Sequence, residues 1–436
     1  MTGTSEAEPG THNTSSMLIL CTLSSFTSCI LSYEVSKENY FRLQPLISTM
    51  ISSKYTRGIQ ASNVLLSLRL VGIQKQDTEQ RLIQQIEENV KSRSSDLTSG
   101  QVALIILALG ECQNPDERFI YDNNLVSQLE TKFQAEVENM GAHNCTPLTN
   151  YYQLSLDVLA LCLFNGNYSI RQVAELFNPE NKNYYFSGQF SVDTGAMAVL
   201  ALTCVERKGQ IETDGEYLNH IKKHKKSLVK KILSEKKENG LIGNKFSTGE
   251  AMQALFVSSE YYNKNEWNCQ QTLDTVFKEI SQGAFSIPIA AAQILPALVG
   301  KTYLDINKDS PCVSDPDFNS PTPKPTSERY TNSPSNILVH YSVKINRTYS
   351  TNVAVLNGSV FLNVMEAARE KNETIFRFTV EESSWGPYIT SVQGLKANNN
   401  DRTYWQLLSE GKPLSQGVGS YVVHDGENLE VRWSTY

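Results

Sequence analysis

Six segments of this chain are apolar almost all the way round a helix, and they alternate with helices that carry a single apolar stripe. The first set runs from Ala61 ("ASNVLLSLRLVG"), Ser99 ("SGQVALIILALGEC"), Asn150 ("NYYQLSLDVLALCLFNG"), Asp193 ("DTGAMAVLALTCVE"), Ser247 ("STGEAMQALFVSS") and Ala290 ("AAAQILPALVG"). The second includes "TEQRLIQQIEENVKSR" and "LVSQLETKFQAEVENM". A helix without a polar face must be buried on all sides, whereas a striped helix can form a solvated outer layer. Repeating the pair six times, at about forty to fifty residues per repeat, predicts a closed ring of inner and outer helices, an α6/α6 barrel. Gly100, Gly195 and Gly249 near the inner-helix starts would let the ring close tightly at one end. Ser99, Asp193 and Ser247 are suitable N-cap residues, so the inner helices are expected to begin at one shared rim.

The pattern changes after "LPALVGKTYLDI". Residues 309–336 are rich in Pro, Ser and Asn and read as an extended linker. Beyond them come short β-type runs: "ILVHYSVKI", "VAVLNGSVFLNVM" continuing into a helix through "EAAREKN", then "IFRFTVEE", "YITSVQG", "TYWQLL" and "NLEVRW". The expected architecture is a two-domain α+β protein. A barrel over 33–308 is joined by the 309–336 linker to a small β-rich α+β domain over 337–436, and a ligand could be clamped between the two.

A net charge of −7 offers no electrostatic attraction to nucleic acid or an anionic membrane. The basic run 220–237 carries an apolar stripe of Ile221, Leu228, Val229, Ile232 and Leu233 and reads as a solvated helix face. "MLILCTLSSFTSCIL", residues 17–31, is too short to span a bilayer and lies where a secretory signal would lie. Residues 1–32 are therefore expected to be a leader cut near Ser32, with Met17 an alternative start. Sequons at Asn13, Asn144, Asn167, Asn346, Asn357 and Asn372 agree with a secreted, extracellular glycoprotein. The cysteines at 21, 29, 112, 145, 162, 204, 269 and 312 form no C-x-x-C or Cys/His cluster, which favours disulfides over zinc.

Polar side chains gather at the predicted rim: Gln101, Thr149, Asn150, Tyr151, Tyr152, Gln153, Asp193, Thr194, Asn244, Ser247 and Gln293. Amides and hydroxyls dominate, which suits a large ligand oriented by many neutral hydrogen bonds. A glycan-processing hydrolase on the same toroid would need two carboxylates facing one cavity, and Asp193 with Glu250 is the candidate pair. Asp193 can equally be a plain N-cap, and Glu250 a first-turn residue balancing the helix dipole. Tyr151 and Tyr152 cannot both face inward from one helix, and pattern leaves open which does. In the second domain Tyr404 and Trp405 are either core or a lid for a flat ligand.

Taken in order, "TNYYQLSLDVLALC", "FSVDTGAMAVLALTC", "GLIGNKFSTGEAMQAL", "LPALVGKTYLDI" and "YWQLL…GENLEVRW" resemble the cobalamin-carrier family of transcobalamin, intrinsic factor and haptocorrin. The resemblance spans roughly residues 33–436. "NKNYYFSGQFSVDTGAMAVLAL" and "SEKKENGLIGN" are most similar to the haptocorrin branch. It implies a secreted binding and transport protein, not an enzyme, with a cobalt-containing corrinoid such as cobalamin held between barrel and β domain. It also implies a monomer and a cell-surface glycoprotein receptor as partner. The binding positions would be Gln101, Thr149 to Gln153, Asp193, Thr194, Asn244, Ser247, Gln293 and the strand Trp405, Gln406 and Leu407, with Tyr388 a weaker candidate. Asp193 would accept hydrogen bonds from corrin amides. Transcobalamin-type members carry a histidine just before "SVDT" that can reach cobalt; here Gln189 and Phe190 precede it, so the resemblance implies no protein ligand on the metal and tolerance of varied corrinoids. The implied disulfides are Cys112 with Cys312, Cys162 with Cys204, and an N-terminal cysteine with Cys269, the family's N-terminal position being Tyr33 here with Cys29 nearby. Cys145 is extra. Haptocorrin-type relatives can carry a further pair where Ser391 and Lys396 stand.

Overall fold

Each of the six apolar segments forms a helix, and the six pack in sequence until the last returns to the first. The computed structural model describes residues 37–52, 58–93, 96–113, 117–186, 188–209, 215–311, 336–356, 359–383, 386–398, 401–414, 416–419 and 421–435. The leader, Asn13, Cys21, Cys29, Cys312, Asn357 and linker residues 312–335 lie outside them. Apart from a short helix at Glu117–Asp122, the barrel helices in chain order are α1 (Lys37–Ser52), α2 (Gln60–Leu70), α3 (Gln76–Arg93), α4 (Ser99–Leu109), α5 (Leu125–Ala142), α6 (Tyr151–Leu163), α7 (Ile170–Leu176), α8 (Val192–Gly209), α9 (Gly215–Ser234), α10 (Thr248–Phe256), α11 (Cys269–Ser281) and α12 (Pro288–Leu298). The even-numbered helices form the inner ring, with α2 against α4, α4 against α6, and so on until α12 packs on α2. Odd-numbered helices lie outside, as α9 does on α8 and α1 on α12. The ring follows from composition: α4 buries every residue from Val102 to Leu109, and α8 every residue from Thr194 to Val205. Outer helix α9 buries Ile221, Leu228, Val229 and Ile232 and turns most of its lysines to water.

Two of the three expected caps are displaced by one or two residues. Thr98, not Ser99, caps α4: its hydroxyl accepts the Gln101 N–H at 3.3 Å, while Gln101 Oε1 takes the Thr98 N–H at 3.0 Å, a capping box. Ser191, not Asp193, caps α8, accepting the Thr194 N–H at 3.3 Å. Ser247 stands at the N-cap of α10 but makes no capping bond; its hydroxyl donates to Ile242 O at 2.9 Å, and Asn244 Oδ1 accepts the Phe246 and Ser247 N–H groups. Adjacent Ser and Thr are both good caps, so composition alone could not choose between them. The glycines do allow close approach: a Cβ on Gly100 would lie 2.6 Å from Gln153 Cβ, and one on Gly249 3.0 Å from Gln293 O. At the other end of α4, Arg69 Nη1 donates to Ala108 O at 2.9 Å and Leu109 O at 3.2 Å, satisfying terminal carbonyls.

Cys162 of α6 and Cys204 of α8 are bridged, locking two neighbouring inner helices. Cys112 and Cys269 are also disulfide-bonded, and Cys145 is a free, exposed thiol. Among the described sequons, Asn144, Asn167, Asn346 and Asn372 are all exposed. No helix among the described residues is long and apolar enough to cross a membrane.

Short strands decorate the barrel: β1 (Cys112–Gln113), the hairpin β2 (Tyr185–Phe186) with β3 (Gln189–Phe190), and β4 (Asn307–Pro311), which pairs in parallel with β1. Residues 309–311, read as the start of the linker, thus belong to a strand. The C-terminal part has its own apolar cluster around Val339, Tyr341, Phe361, Trp405 and Val431. Its strands are β5 (Asn336–Lys344), β6 (Thr348–Leu356), β7 (Phe378–Ser383), β8 (Gly386–Val392), β9 (Leu395–Lys396), β10 (Thr403–Ser409), β11 (Lys412–Pro413) and β12 (Asn428–Thr435). They make a five-stranded sheet in the order β11-β10-β12-β5-β6 and a three-stranded sheet β7-β8-β9. The run "SVFLNVM" is not a strand: α13 (Phe361–Lys371) begins inside it, entered through Asn363 Oδ1 on the Val360 N–H at 3.0 Å. Short apolar runs fit either state by periodicity, and here the buried Phe361, Val364, Met365 and Ala368 repeat at helical spacing.

Candidate functional site

Hydrogen bonds and close contacts tie together the N-terminal ends of the inner helices. Between α4 and α6, the Thr98 hydroxyl donates to Gln153 Oε1 at 2.6 Å. Glu136, a buried carboxylate from outer helix α5, accepts the Thr149 hydroxyl at 2.6 Å, the Thr149 N–H at 3.2 Å and the Ser99 hydroxyl at 3.2 Å. Thr149 and Gln153 are thereby fixed at the start of α6, whose N-cap is Asn150, with Oδ1 accepting the Gln153 N–H at 2.9 Å. Gln101 stands within the α4 capping box.

The two tyrosines part company. Tyr151 is turned into the barrel wall: it is 1% exposed, donates to Leu176 O at 2.9 Å, accepts from Asn181 Nδ2 at 2.7 Å and packs edge-on against Tyr184. It packs within the barrel wall here, whereas the sequence places it among the binding groups. Tyr152 reaches across the ring, its hydroxyl donating to Glu250 Oε1 of α10 at 2.7 Å. Burial, then the charge of Glu250, holds the Tyr152 phenol well above its usual range.

Asp193, relieved of capping, lies in the first turn of α8 and is half-buried. Burial pushes its carboxyl up to about 6, partly offset by its own backbone N–H. Glu250 is pushed further, to about 8, by burial and then by the charge of Asp193. The Gln293 amide from α12 stands near enough to Glu250 to oppose that rise, yet neither of its amide atoms completes a hydrogen bond. Gln253, one turn below Glu250, accepts the Tyr303 N–H at 3.0 Å and leaves Nε2 unpartnered. Thr194 is buried on Ser191, 2.9 Å between hydroxyls. Asn244 and Ser247 order the entrance to α10 as described above. A cluster of amides and hydroxyls around two neighbouring carboxyl groups therefore stands where α6, α8 and α10 begin, joined by Gln293 from the middle of α12. Sequence reading missed the link from Tyr152 to Glu250 and the roles of Gln253, Tyr303 and Glu136. A carboxylate in an otherwise apolar inner helix was the available signal for Glu250.

Gln189 is exposed on the β2–β3 hairpin, and Phe190 packs on Tyr185 and against Gly195 at the start of α8. No imidazole occupies that position, and the described residues contain no cluster of His, Cys, Asp and Glu able to hold a metal ion.

In the C-terminal part the candidates separate. Trp405 is 7% exposed, pairs with Trp433 at a centroid distance of 4.9 Å and belongs to the domain core, although its indole N–H has no partner. Strand parity puts Leu407 on the same face as Trp405 and Gln406 on the other, where Gln406 Oε1 accepts the Ser434 hydroxyl at 3.3 Å. Tyr388 is on β8, in the smaller sheet, half exposed and donating to Glu381 at 3.0 Å.

Residues 14–332 match the model of a family described as eukaryotic cobalamin-binding protein, and residues 358–435 match a domain of unknown function, DUF4430. The chain is 70% identical over 407 residues to Transcobalamin-1 of Homo sapiens, covering 92% of this chain and 94% of that protein. It is 36% identical to the cobalamin binding intrinsic factor of Homo sapiens, over 86% of this chain and 87% of that one. Among solved structures, haptocorrin in complex with Cbi matches with a TM-score of 0.83 at 69% identity, covering 92% of this chain and 99% of that chain. The chain belongs to the eukaryotic cobalamin-binding protein family.

Proposed function

We infer that this chain is a secreted carrier that binds cobalamin and related corrinoids and performs no chemistry on them. The observation that carries the reading is the likeness, at 69% identity over 92% of the chain, to haptocorrin in complex with Cbi, which is cobinamide, a corrinoid. The rim supports it: Gln101, Thr149, Asn150, Tyr152, Gln153, Asp193, Thr194, Asn244, Ser247 and Gln293 offer a ring of donors and acceptors suited to the carboxamides on a corrin edge. Gln406 and Tyr388 are proposed to meet the ligand from the β domain, with Trp405 and Leu407 supporting that surface from behind. The domain assignment, 33–308 and 337–436 with ligand between, follows the same reading, as do a monomeric state, glycosylation at the exposed sequons and capture by a cell-surface glycoprotein receptor. The hydrolase alternative finds no support: Glu250 is 1% exposed and already engaged by the Tyr152 hydroxyl.

The test is thermal unfolding with and without cobinamide. A ligand that binds only the folded state stabilises it by mass action, so the melting temperature should rise steeply with added cobinamide and tryptophan fluorescence should change. Unchanged melting and fluorescence at saturating cobinamide would overturn the reading.

A further inference from the structure

Glu250 is buried, and its two oxygens differ: Oε1 accepts the Tyr152 hydroxyl, while Oε2 has no hydrogen-bonding partner. No cation is paired with it among the described residues. The groups that face it are Tyr152 from α6, Asp193 from α8, Gln293 from α12 and, beyond the C-terminus of α12, Tyr303. Of these only Asp193 is an acid that ionises near neutrality, and it is itself in the rim cluster. A buried carboxylate with no cation and a second carboxylate beside it favours taking up a proton. Gln293 and Gln253 add three further unpartnered amide atoms at the same place.

We propose that Glu250 is a positioning residue of the corrinoid site that acts as a neutral carboxylic acid, holding Tyr152 in register while Asp193 alone carries the negative charge. The proposal rests on the carrier reading. Corrinoid carboxamides are neutral, and a ligand laid over the cluster removes further water from it. The penalty for a second negative charge then rises, so binding favours the protonated form of Glu250. The sign follows: between about pH 6, where Asp193 ionises, and about pH 8 the proton is already on Glu250 and its contribution to binding does not vary with pH. Above that window, binding takes up a proton, and affinity falls by a factor approaching ten per pH unit.

Calorimetry of cobinamide binding in pairs of buffers with different ionisation enthalpies counts that proton directly, however tight the complex. Uptake is expected to be near zero at pH 7 and to approach about one proton at pH 9. Glu250→Gln keeps an oxygen to accept the Tyr152 hydroxyl and has no proton to gain, so the complex it forms with cobinamide should show no uptake at pH 9. Absence of uptake by the parent at pH 9, or undiminished uptake by a folded Glu250→Gln, overturns the proposal. Should that variant fail to fold, the parent's proton count still decides. Absence of any cobinamide binding by the parent at pH 7 instead overturns the carrier reading.

Discussion

The Thr98 hydroxyl donates to Gln153 Oε1 at 2.6 Å, joining the cap of one inner helix to the first turn of the next. The contact exists because Gly100 has no side chain: a Cβ there would sit 2.6 Å from both Cβ and Cγ of Gln153. Gly100→Ala must push Gln153 aside, and since Gln153 Cβ is close to the backbone it cannot simply rotate away. A loss of about 1–3 kcal/mol in unfolding free energy is expected, measured by denaturant titration. Cobinamide binding should weaken in the same variant.

Asp193→Asn separates stability from binding. The folded-state pKa of Asp193 is raised from the ordinary 3.8 to about 6, so its ionised form is disfavoured by folding. That cost grows as pH rises from about 4 through about 6 and is fully present at neutrality. The unliganded Asn variant should therefore melt higher than the parent at pH 7, with the gap shrinking at pH 4.5. If Asp193 accepts ligand carboxamides as proposed, cobinamide affinity falls about tenfold or more at pH 7, through loss of a charge-assisted acceptor. A variant that melts lower at pH 7 would contradict the burial argument.

The Cys162–Cys204 bridge spans 42 residues. In the chain-entropy treatment a loop of that length is worth about 4 kcal/mol. The double substitution Cys162→Ala/Cys204→Ala should lower stability by about that amount, read by denaturant unfolding. Because the bridge lies in the bodies of α6 and α8, away from their N-terminal ends, cobinamide affinity of the folded fraction should change little.

Ser391 and Lys396 stand opposite each other in the β8–β9 ladder. Replacing both with cysteine should form a cross-strand disulfide under oxidising conditions. Closing so short a loop is worth about 2 kcal/mol. The check is the melting temperature before and after reduction; no difference, despite confirmed oxidation, would show that the hairpin opens late or independently of the rest.

The barrel was legible because its signal is redundant: six helices with no polar face admit few arrangements other than a ring closed by six outer partners. Local choices were harder. Thr98 and Ser99 are equally good caps, and Ser191 outcompeted Asp193, which left that carboxylate available for the rim. "SVFLNVM" is too short for periodicity to separate strand from helix. Tyr151 and Tyr152 could be distinguished only by partners far away in sequence, Leu176 and Asn181 for one and Glu250 for the other. Trp405, Gln406 and Leu407 read as one motif along the chain, but strand alternation splits them between two faces.

The contact of α12 with α2 has a consequence for how the chain could be shortened or varied. An open stack of helical pairs has two end units, and losing one exposes a single new flank that a polar cap can cover. A closed ring has no end unit. Deleting any one pair would uncover the apolar sides of both neighbours at once, in helices with no polar face to turn outward. Splice or deletion variants that lack a single helical pair are thus expected to aggregate rather than persist as smaller carriers, whichever pair is removed.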